Sequence, residues 1–582
     1  MTTHVHDVII AGGGPGGSTL AALLRRNTTL DVALVEAERF PREHIGESFT
    51  QRVTAVLAES GGLEKILASD CWVKKFGGYY AWGEGDPSLS LFEHKEWEKD
   101  GILRWSFHAD RPQMDAILLE HARSCGATVF EGVAIKHVDL GKSEHTVHLE
   151  DGRVLHCRMF VDATGRVTDL ASRQRKQYLS KYRNVAVWTH VTGARTAQEA
   201  PGDWNLFGKL GVSCIGSYAF EDGWFWYIPV PKRINGKRVV THSLGVVTDP
   251  RVLKQPGKDY TNLETLMQTA RRVPVLKDLV ANARPVFDKT NTATNYSMIA
   301  DRFASYDERW VSIGDAAYFV DPLFSSGVAF SVNHAASAAL LIELAFSETV
   351  SEADKRDLFR DYDEGWRGMA CSFAVILDQW YHAIARTHSN SIYWETRTSE
   401  SLVDVRLSTF NDLVDTAVSP DLLMVITKGE GKLSELTDGP LVEALRLAGK
   451  EPRDDQRVVL KNDVVVRPSV SLAVGLSKIN LAMMREGGID RLRAYWADPV
   501  NNRQDIPRLY DKAIQQHRFE RDRNGVGFLD QRDGGFTVAE RLKTPTRYGD
   551  VRPSLSPAQR LLVRKLHGAN MIDVDDEASA AE

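Results

Sequence analysis

The chain has 582 residues, of which 43% are hydrophobic and 26% charged, with 44 glycines, 21 prolines and 5 cysteines. This composition excludes a disordered, collagen-like or disulfide-scaffold protein, and at roughly 100–200 residues per domain the length predicts about three structural units. The net charge of −6, from 72 basic and 78 acidic residues, excludes the global cationic field that attracts nucleic acid.

The sequence predicts neither export nor membrane insertion. The first ten residues lack the basic start and long apolar core of a signal peptide. The most apolar long stretch, residues 328–346, is interrupted by Asn333, His334 and Glu343 and falls short of a membrane span. An odd number of scattered cysteines without CxxC spacing fits a reducing compartment. We therefore expect a cytoplasmic enzyme with no nucleic-acid or membrane partner.

The N-terminal segment predicts a strand–helix–strand unit. An apolar strand over Val5–Ala11 runs into GGGPGG, and an Ala/Leu-rich helix then extends to about Arg26. A second strand follows over Asp31–Val35. Helical periodicity returns over residues 47–64, and residues 103–135 repeat the order of strand and helix. This alternation is typical of a parallel sheet covered by helices.

The middle of the chain predicts an antiparallel sheet. Residues 185–247 are rich in Trp, Tyr, Val and Thr, and Asn235-Gly236 lies between two strand-like runs. Asn-Gly is the strongest short-range signal for a hairpin, because both residues accept positive φ. After Trp310 the chain returns to the first domain, with a long helix beginning near Gly327.

The last third predicts a mixed, mostly helical region. Apolar residues at three- and four-residue spacing after Glu352 indicate an amphipathic helix; they are Leu358, Tyr362, Trp366, Met369, Phe373 and Leu377. Asn462-Asp463 predicts a second hairpin. The acidic, small-residue-rich end, residues 571–582, predicts a frayed tail.

A dinucleotide-binding pattern lies between the first strand and the first helix. Gly12 permits a tight turn, Gly14 lets a pyrophosphate approach the backbone, and Gly17 lets helix and strand pack closely. Glu36 ends the next strand, where it can accept hydrogen bonds from ribose hydroxyls. The alternative is an ordinary glycine-rich turn, which explains neither the helix nor the distal acid.

Further segments resemble FAD-binding oxidoreductases of the aromatic-hydroxylase superfamily. They are FVDATG at 160–165, WVSIGDAA at 310–317, the HIGES run ending in Ser48, and HADRPQMD with Arg111. The resemblance implies that Ser48, Arg111 and Asp315 contact the flavin, although Asp315 alone also suits a helix cap. The DG-containing segment with which such hydroxylases bind NADPH lacks its usual spacing here, and no second dinucleotide fingerprint is found. Reduced flavin is therefore expected from a separate reductase.

The run GWFWYIPV carries two tryptophans two residues apart, Trp224 and Trp226, within the pattern WxWxIP. Residues at i and i+2 of a strand point to one face, so the two indoles form a wall. Two ordinary core aromatics are the alternative. In a flavoprotein, the complete pattern resembles the signature of flavin-dependent halogenases, in particular the branch with phenolic and chloramphenicol-pathway enzymes.

A second match to the halogenases is VKKFGGYYAWG, where Lys75 rather than Lys74 aligns with the family's catalytic lysine. A third is DPLFSSGVAF, which implies halide binding by the backbone amides of Ser326 and Gly327. Both segments extend the resemblance, which is strong over residues 1–345 and weak beyond.

Two positions depart from related enzymes. Phe324 stands where tryptophan halogenases carry a glutamate, which argues against tryptophan as substrate and favours an activated ring such as a phenol. Asn295 stands where the chloramphenicol-type enzyme carries an aspartate that tethers FAD, so we expect non-covalent FAD.

The expected fold is α/β: a Rossmann-like FAD-binding domain with an inserted antiparallel β-sheet domain and a mainly helical C-terminal domain. The predicted boundaries are FAD-binding segments at 1–80, 111–175 and 299–350, sheet-domain segments at 81–110 and 176–298, a C-terminal domain at 351–570 and a tail at 571–582.

The expected function is that of a halogenase in natural-product biosynthesis that uses FADH2, O2 and chloride or bromide. Hypohalous acid, relayed to Lys75, would halogenate a phenolic substrate, free or bound to an acyl or peptidyl carrier protein. Trp224 and Trp226 would keep that substrate away from the flavin. An FAD-dependent aromatic monooxygenase is the alternative, and a non-catalytic flavoprotein is a further one. A hydroxylated product that forms regardless of chloride would indicate the monooxygenase. Bound FAD without oxygen-dependent turnover would indicate the non-catalytic flavoprotein.

Overall fold

The computed structural model describes residues 4–50, 52–81, 88–91, 106–166, 177–178, 184–196, 199, 213–294, 296–348, 350–385, 388, 391–397, 451–469, 516–521, 524–529, 535–555, 557–568 and 570–576. Its strands are β1 Val5–Ala11, β2 Val32–Glu36, β3 Trp72–Ala81, β4 Ser88–Leu91, β5 Ser106–Ala109, β6 Thr128–Glu131, β7 Ile135–Asp139, β8 His145–Leu149, β9 Val154–Asp162, β10 Gln177–Tyr178, β11 Val185–Thr192, β12 Ser213–Phe220, β13 Gly223–Ile234, β14 Lys237–Thr248, β15 Arg284–Pro285, β16 Asn291–Thr294, β17 Met298–Ile299, β18 Ala304–Ser305, β19 Trp310–Ser312, β20 Tyr318–Phe319, β21 Gln456–Leu460, β22 Val465–Ser469, β23 Gln516–Arg521, β24 Asn524–Leu529, β25 Thr546–Arg547 and β26 Ile572–Asp576. Its α-helices are α1 Pro15–Asn27, α2 Arg52–Ser60, α3 Gly62–Leu67, α4 Arg111–Ser124, α5 Leu263–Ala270, α6 Leu276–Val280, α7 Gly327–Phe346, α8 Glu352–Ala385, α9 Ile392–Glu395, α10 Gly535–Arg541, α11 Tyr548–Val551 and α12 Pro557–Gly568.

The chain divides into two compact units. The first comprises residues 1–303, 307–339 and 376–414, and the second comprises residues 304–306, 340–375 and 415–582.

A parallel sheet in the order β19-β9-β1-β2-β6 organises the nucleotide-binding part of the first unit. Its central strand β1 is buried over Val8–Ala11, because strands of a parallel sheet are covered on both faces. Helix α1 follows β1 directly and buries its first ten residues. The predicted strand–helix–strand unit is therefore confirmed. Two antiparallel strands, β7 and β8, extend the sheet beside β9.

An antiparallel layer in the order β11-β14-β13-β12-β3-β4 forms the other part of the first unit, with β5 paired to β3. The predicted hairpin is confirmed: β13 and β14 pair from Trp224↔Val247 to Ile234↔Lys237, and Asn235 and Gly236 have φ of 51° and 77°. Within this layer, β12 and β3 pair in parallel. Because β3 starts at Trp72, this sheet begins inside the segment that the sequence assigned to the FAD-binding domain.

Two long helices follow the sheets in sequence. Helix α7 is long and apolar enough to cross a membrane, so the expectation that residues 328–346 fall short of a span is wrong on length and composition. However, 83% of its most apolar stretch is buried, as in the core helix of a soluble protein. Helix α8 confirms the predicted amphipathic helix. Its periodic apolar side chains are buried wherever their side chains are described, namely Leu358, Tyr362, Trp366, Phe373 and Leu377.

The described C-terminal residues contain two three-stranded sheets, β25-β21-β26 and β22-β23-β24, with helices α10, α11 and α12. The second hairpin predicted at Asn462-Asp463 is wrong, because β21 pairs with β25 and β26 whereas β22 pairs with β23. The predicted tail is wrong over Ile572–Asp576, since this segment is a strand of the first sheet. Residues 398–450 and 470–515, much of the predicted helical region, lie outside the described residues, as do residues 577–582.

Candidate active site

A cavity of about 540 Å³ lies in the first unit, within the size range of cofactor sites. Its lining includes the sequence-predicted residues Gly12, Gly14, Glu36, Ser48, Arg111, Trp224, Trp226, Asp315, Ser326 and Gly327. Gly17 and Lys75, both within the described residues, do not line it. The fold therefore gathers residues more than 300 positions apart in sequence around one space.

The turn from β1 to α1 needs glycine for reasons that differ by position. Gly12 has φ of +106°, and a Cβ there would overlap the Ala163 carbonyl. A Cβ on Gly17 would overlap the carbonyl oxygen of Gly12, so this glycine allows the helix to pack closely. Gly14, in contrast, borders the cavity, and the nearest atom to a Cβ there is in Arg42 at 3.8 Å.

The Glu36 carboxylate is held at the end of β2. Its Oε2 accepts a hydrogen bond from the Gly13 amide at 2.6 Å, and its Oε1 accepts one from the Glu38 amide at 2.9 Å. The buried side chain borders the cavity. This geometry suits the role expected of Glu36, which is to accept hydrogen bonds from ribose hydroxyls.

Arg111 ties the start of α4 to the HIGES segment. Its guanidinium forms a buried bidentate pair with Asp115, at 2.8 and 2.9 Å, and also donates to the Ile45 carbonyl at 2.7 Å. Ser48 borders the cavity with a buried hydroxyl that has no hydrogen-bond partner among the residues that the structure describes. A polar ligand in the cavity would satisfy this hydroxyl.

Asp315 lies in a short 3₁₀ turn, Gly314–Ala316, directly after β19. The Gly314 amide donates to His334 Nδ1 at 3.1 Å, and burial lowers the pKa of His334 to about 3. A neutral imidazole is thus the acceptor that fixes this turn. His334 therefore has a structural role in this turn.

Trp224 and Trp226 lie on one face of β13, with ring centroids 6.2 Å apart. The Trp226 indole donates to Ser243 Oγ at 3.1 Å, and its ring covers Gly245 on the paired strand β14, where a Cβ would overlap it. Both indoles border the cavity. The pair therefore forms one wall of it.

Lys75 is fully buried on β3, and its Nζ donates to the Phe49 carbonyl at 2.9 Å. On β5, Ser106 is paired directly with Lys75, and its hydroxyl donates to the same carbonyl at 2.7 Å. His108, two residues on, lies on the same face and is also fully buried. Burial, together with the charge of Lys75, lowers the pKa of His108 well below its usual value. The lysine thus shares its surroundings with a neutral histidine that sequence reasoning missed.

Two buried hydrogen-bonded acid–base pairs were missed by sequence reasoning. His190 Nε2 donates to Glu47 at 2.6 Å, and Lys232 Nζ donates to Asp110 at 2.7 Å. Burial acts to raise the pKa of Glu47, but the charge and hydrogen bond of His190 and the charge of Lys232 outweigh it, so the pKa is lowered. Glu47 borders the cavity and is thus an anion inside it. These pairs join residues more than 100 positions apart, which no local pattern reveals.

Ser326 and Gly327 stand at the start of α7, where backbone amides have no partner within the helix. Ser325 precedes them with φ of 56° and donates its amide to the Pro322 carbonyl at 3.0 Å, so a tight turn leads into the helix. Phe324 is 2% exposed and is an apolar residue within this turn.

Tyr381, near the end of α8, links two motifs that the sequence analysis singled out. Its hydroxyl accepts from the Trp224 indole at 2.9 Å and donates to Asp321, the first residue of DPLFSSGVAF, at 2.8 Å. Tyr381 lies on the helix predicted after Glu352, and it is fully buried. Its partners, 157 and 60 residues away, could not be read from the helical pattern.

The residues present fit FAD. The glycine turn leaves space beside Gly14, Glu36 offers carboxylate oxygens, and Ser48 offers a buried hydroxyl. Asn295, on which the expectation of non-covalent FAD rests, lies outside the described residues, so that expectation stays a prediction.

The family model for tryptophan halogenases matches residues 7–98 and 93–417, which is most of the chain. The chain belongs to the tryptophan halogenase family. A relative named 1H-pyrrole-2-carbonyl-[peptidyl-carrier protein] chlorinase, from Pseudomonas fluorescens, is 32% identical over 360 residues, covering 58% of this chain and 76% of the relative. Tryptophan 2-halogenase from Chondromyces crocatus is 29% identical over 413 residues, covering 69% and 72%.

Solved structures confirm the fold of this tryptophan halogenase family member. The flavin-dependent halogenase CmlS superposes with a TM-score of 0.62 at 21% identity, covering 99% of this chain and 97% of CmlS. The myxobacterial chondrochloren halogenase CndH gives 0.56 at 24% identity, covering 74% and 96%. The α/β fold with an inserted antiparallel sheet is therefore confirmed.

Membership also confirms several expectations about the chemistry. The protein is an oxidoreductase, a flavin-dependent halogenase, and it uses FAD with halide and O2 as co-substrates. A halogenase of this type needs a flavin reductase to supply reduced flavin.

Proposed function

We propose that the protein chlorinates an activated aromatic ring, a phenol in the first place, with FADH2 delivered by a separate reductase. The ring would be free or carried on an acyl or peptidyl carrier protein. The Pseudomonas relative, whose name specifies a pyrrole on a carrier protein, supports an electron-rich, carrier-bound ring. Phe324 supports it too, since a buried phenyl ring cannot polarise an indole as a glutamate would.

The observation that carries the proposal is the complete burial of Lys75 in the sheet that bears the two tryptophans. A lysine is rarely buried without a partner, and this one has carbonyl and hydroxyl groups around it. Burying a lysine side chain costs free energy, and a residue without a chemical task would not offset that cost. The burial of Lys75 therefore supports a chemical role for it.

Each group of residues then has one task. Reduced FAD, when bound, would supply two of the four electrons that O2 takes up; halide supplies the other two, so that one oxygen atom ends in hypohalous acid and the other in water. Gly12, Gly14 and Glu36 hold the cofactor, and the Ser326 and Gly327 amides hold the halide anion. Trp224 and Trp226 separate the organic substrate from the flavin.

Lys75 would act where the oxidant reaches the substrate. As an ammonium it donates a hydrogen bond that polarises hypohalous acid. As an amine it exchanges one N–H proton for the halogen of hypohalous acid, and water is released. His108 stays neutral near Lys75, so it adds no second positive charge to the surroundings of the ammonium. Exclusion of water between the proposed halide site and Lys75 would keep the hypohalous acid from escaping.

The first prediction concerns Lys75. We expect Lys75→Met to lower the yield of chlorinated product by at least about 100-fold while reduced flavin is still reoxidised, because only the delivery of the oxidant is lost. The measurement combines oxygen uptake with mass spectrometry of free and carrier-bound phenolic acids, in which a chlorine isotope pattern identifies the product. Free tryptophan and carrier-bound pyrrole serve as comparison substrates.

Lys74→Met is the matched control, since this partly exposed neighbour should be replaceable without loss of product. Chlorination that survives in Lys75→Met contradicts the assignment. Hydroxylated product that is independent of chloride would instead establish the monooxygenase alternative.

A further inference from the structure

A buried chain of hydrogen bonds links the tryptophan wall to the proposed halide loop. The Trp224 indole donates to the Tyr381 hydroxyl at 2.9 Å, and this hydroxyl donates to Asp321 Oδ1 at 2.8 Å. All three side chains are at most 1% exposed. The loss of the central hydroxyl therefore removes one acceptor from the Trp224 indole and one donor from the Asp321 carboxylate.

Asp321 in turn organises the first half of the loop that ends at Ser326. Its Oδ1 also accepts from the Leu323 amide at 3.0 Å, and its Oδ2 accepts from Asn184 Nδ2 at 3.0 Å. The turn closes with the Ser325 amide on the Pro322 carbonyl and delivers the chain into α7. The orientation of this carboxylate therefore governs the direction of the amides that follow.

The groups around Asp321 make it sensitive to pH. Burial raises the pKa of Asp321 to about 6, although the hydrogen bond from Tyr381, the Leu323 amide, the charge of Arg397 and the hydrogen bond from Asn184 act to lower it. The Arg397 guanidinium lies 5.0 Å from the ring centroid of Tyr381. Among the residues that the structure describes, the buried phenols Tyr296 and Tyr393 also interact with this carboxyl.

We propose that Tyr381 is a positioning residue for halide binding. Its hydroxyl, held between Trp224 and Asp321, fixes the loop 321–327 so that the Ser326 and Gly327 amides converge on the anion. The inference rests on the proposed function, because it presupposes that halide binds at these amides. It adds that a residue from the end of α8, which touches neither halide nor substrate, sets the affinity for halide.

Tyr381→Phe tests this role. We expect the KM for chloride to rise about fivefold to tenfold, the range expected when one buried hydrogen bond is lost, while the KM for the aromatic substrate changes less than twofold. The dissociation constant for chloride, from titration of the absorbance spectrum of oxidised FAD in the holoenzyme, should rise by the same factor. This second readout does not depend on turnover.

The matched control is Tyr260→Phe. Tyr260 is also a buried tyrosine, and its hydroxyl donates at 3.0 Å to Asp222 in the turn between β12 and β13, so its removal should cost comparable stability. Its chloride constants should equal those of the wild type. Asn184→Ala, which removes the other side-chain donor to Asp321, provides an independent variant and should raise both chloride constants like Tyr381→Phe.

The pH profile separates positioning from a general loss of stability. The hydrogen bond from Tyr381 lowers the pKa of Asp321, so its removal raises that pKa, and the acid limb of chloride binding should move to higher pH in Tyr381→Phe. Chloride constants and an acid limb equal to those of the wild type would overturn the inference. Failure of the wild type to form any chloride-dependent product would instead contradict the proposed function.

Discussion

At the scale of single residues, the site depends on side chains that are absent as much as on those present. Gly245 lies directly opposite Trp226 in the β13–β14 pair, and the indole occupies the space that a Cβ would fill. The Trp226 indole N–H is held by Ser243 on the same strand as Gly245. The position of one wall tryptophan is therefore set by a glycine that no motif contains.

Gly245→Ala should lower the free energy of unfolding by about 1–3 kcal/mol, as overpacking does, because the ring must move from its hydrogen bond. The check is chemical denaturation of single and double variants. The smaller ring of Trp226→Phe should recover part of the loss when both changes are combined, and strict additivity of the two losses would contradict direct packing.

At the scale of elements, the turn from β1 to α1 separates two uses of glycine. Gly17 permits the packing of α1 on the strand, whereas Gly14 keeps space open for a ligand. Both belong to the same sequence pattern, so the pattern alone does not distinguish the two uses. The atoms that a Cβ would meet at each position distinguish them: a backbone carbonyl at Gly17 and, at 3.8 Å, the Arg42 side chain at Gly14.

We expect Gly14→Ala to leave the thermal unfolding midpoint of the apoprotein within about 2 °C and to raise the dissociation constant for FAD at least about tenfold, because its methyl group enters the cavity. Gly17→Ala should lower the midpoint itself by several degrees, as its Cβ overlaps a backbone carbonyl. Calorimetry with and without FAD measures both. Equal effects of the two variants on the midpoint would refute the division of roles.

The two predicted hairpins show how far a local signal reaches. Asn235-Gly236 supplies two consecutive positive φ values, which match the twist of the strands it joins. Asn462-Asp463 also makes a turn, with the Val464 amide on the Lys461 carbonyl, yet its flanking strands pair with other strands from farther along the chain. A turn signal determines that the chain reverses; the partner of each strand depends on distant apolar faces.

At the scale of the whole molecule, the net charge of −6 leaves anion binding to local backbone geometry. A rise in ionic strength from roughly 50 to 200 mM with sodium acetate should therefore change the KM for chloride less than about twofold. Steady-state kinetics at fixed pH provides the check, with sodium nitrate as a control for direct competition by a small anion. A steep increase with acetate would indicate a long-range cationic field instead.

The sequence by itself determined the strand–helix–strand unit, the hairpin bearing the tryptophans, the amphipathic helix α8 and the resemblance to halogenases. These depend on period, turn chemistry and short motifs, which are properties of neighbouring residues. Only the tertiary structure decided that β3 with Lys75 belongs to the antiparallel sheet and that residues 572–576 form a strand.

The same holds for the buried polar contacts of Glu47 with His190 and of Tyr381 with Asp321. Polar groups removed from water must find partners, and which partner each one meets depends on how strands and helices distant in sequence are packed together. Short sequence motifs indicated the type of reaction, whereas the packing of distant elements determined which side chains surround the candidate site.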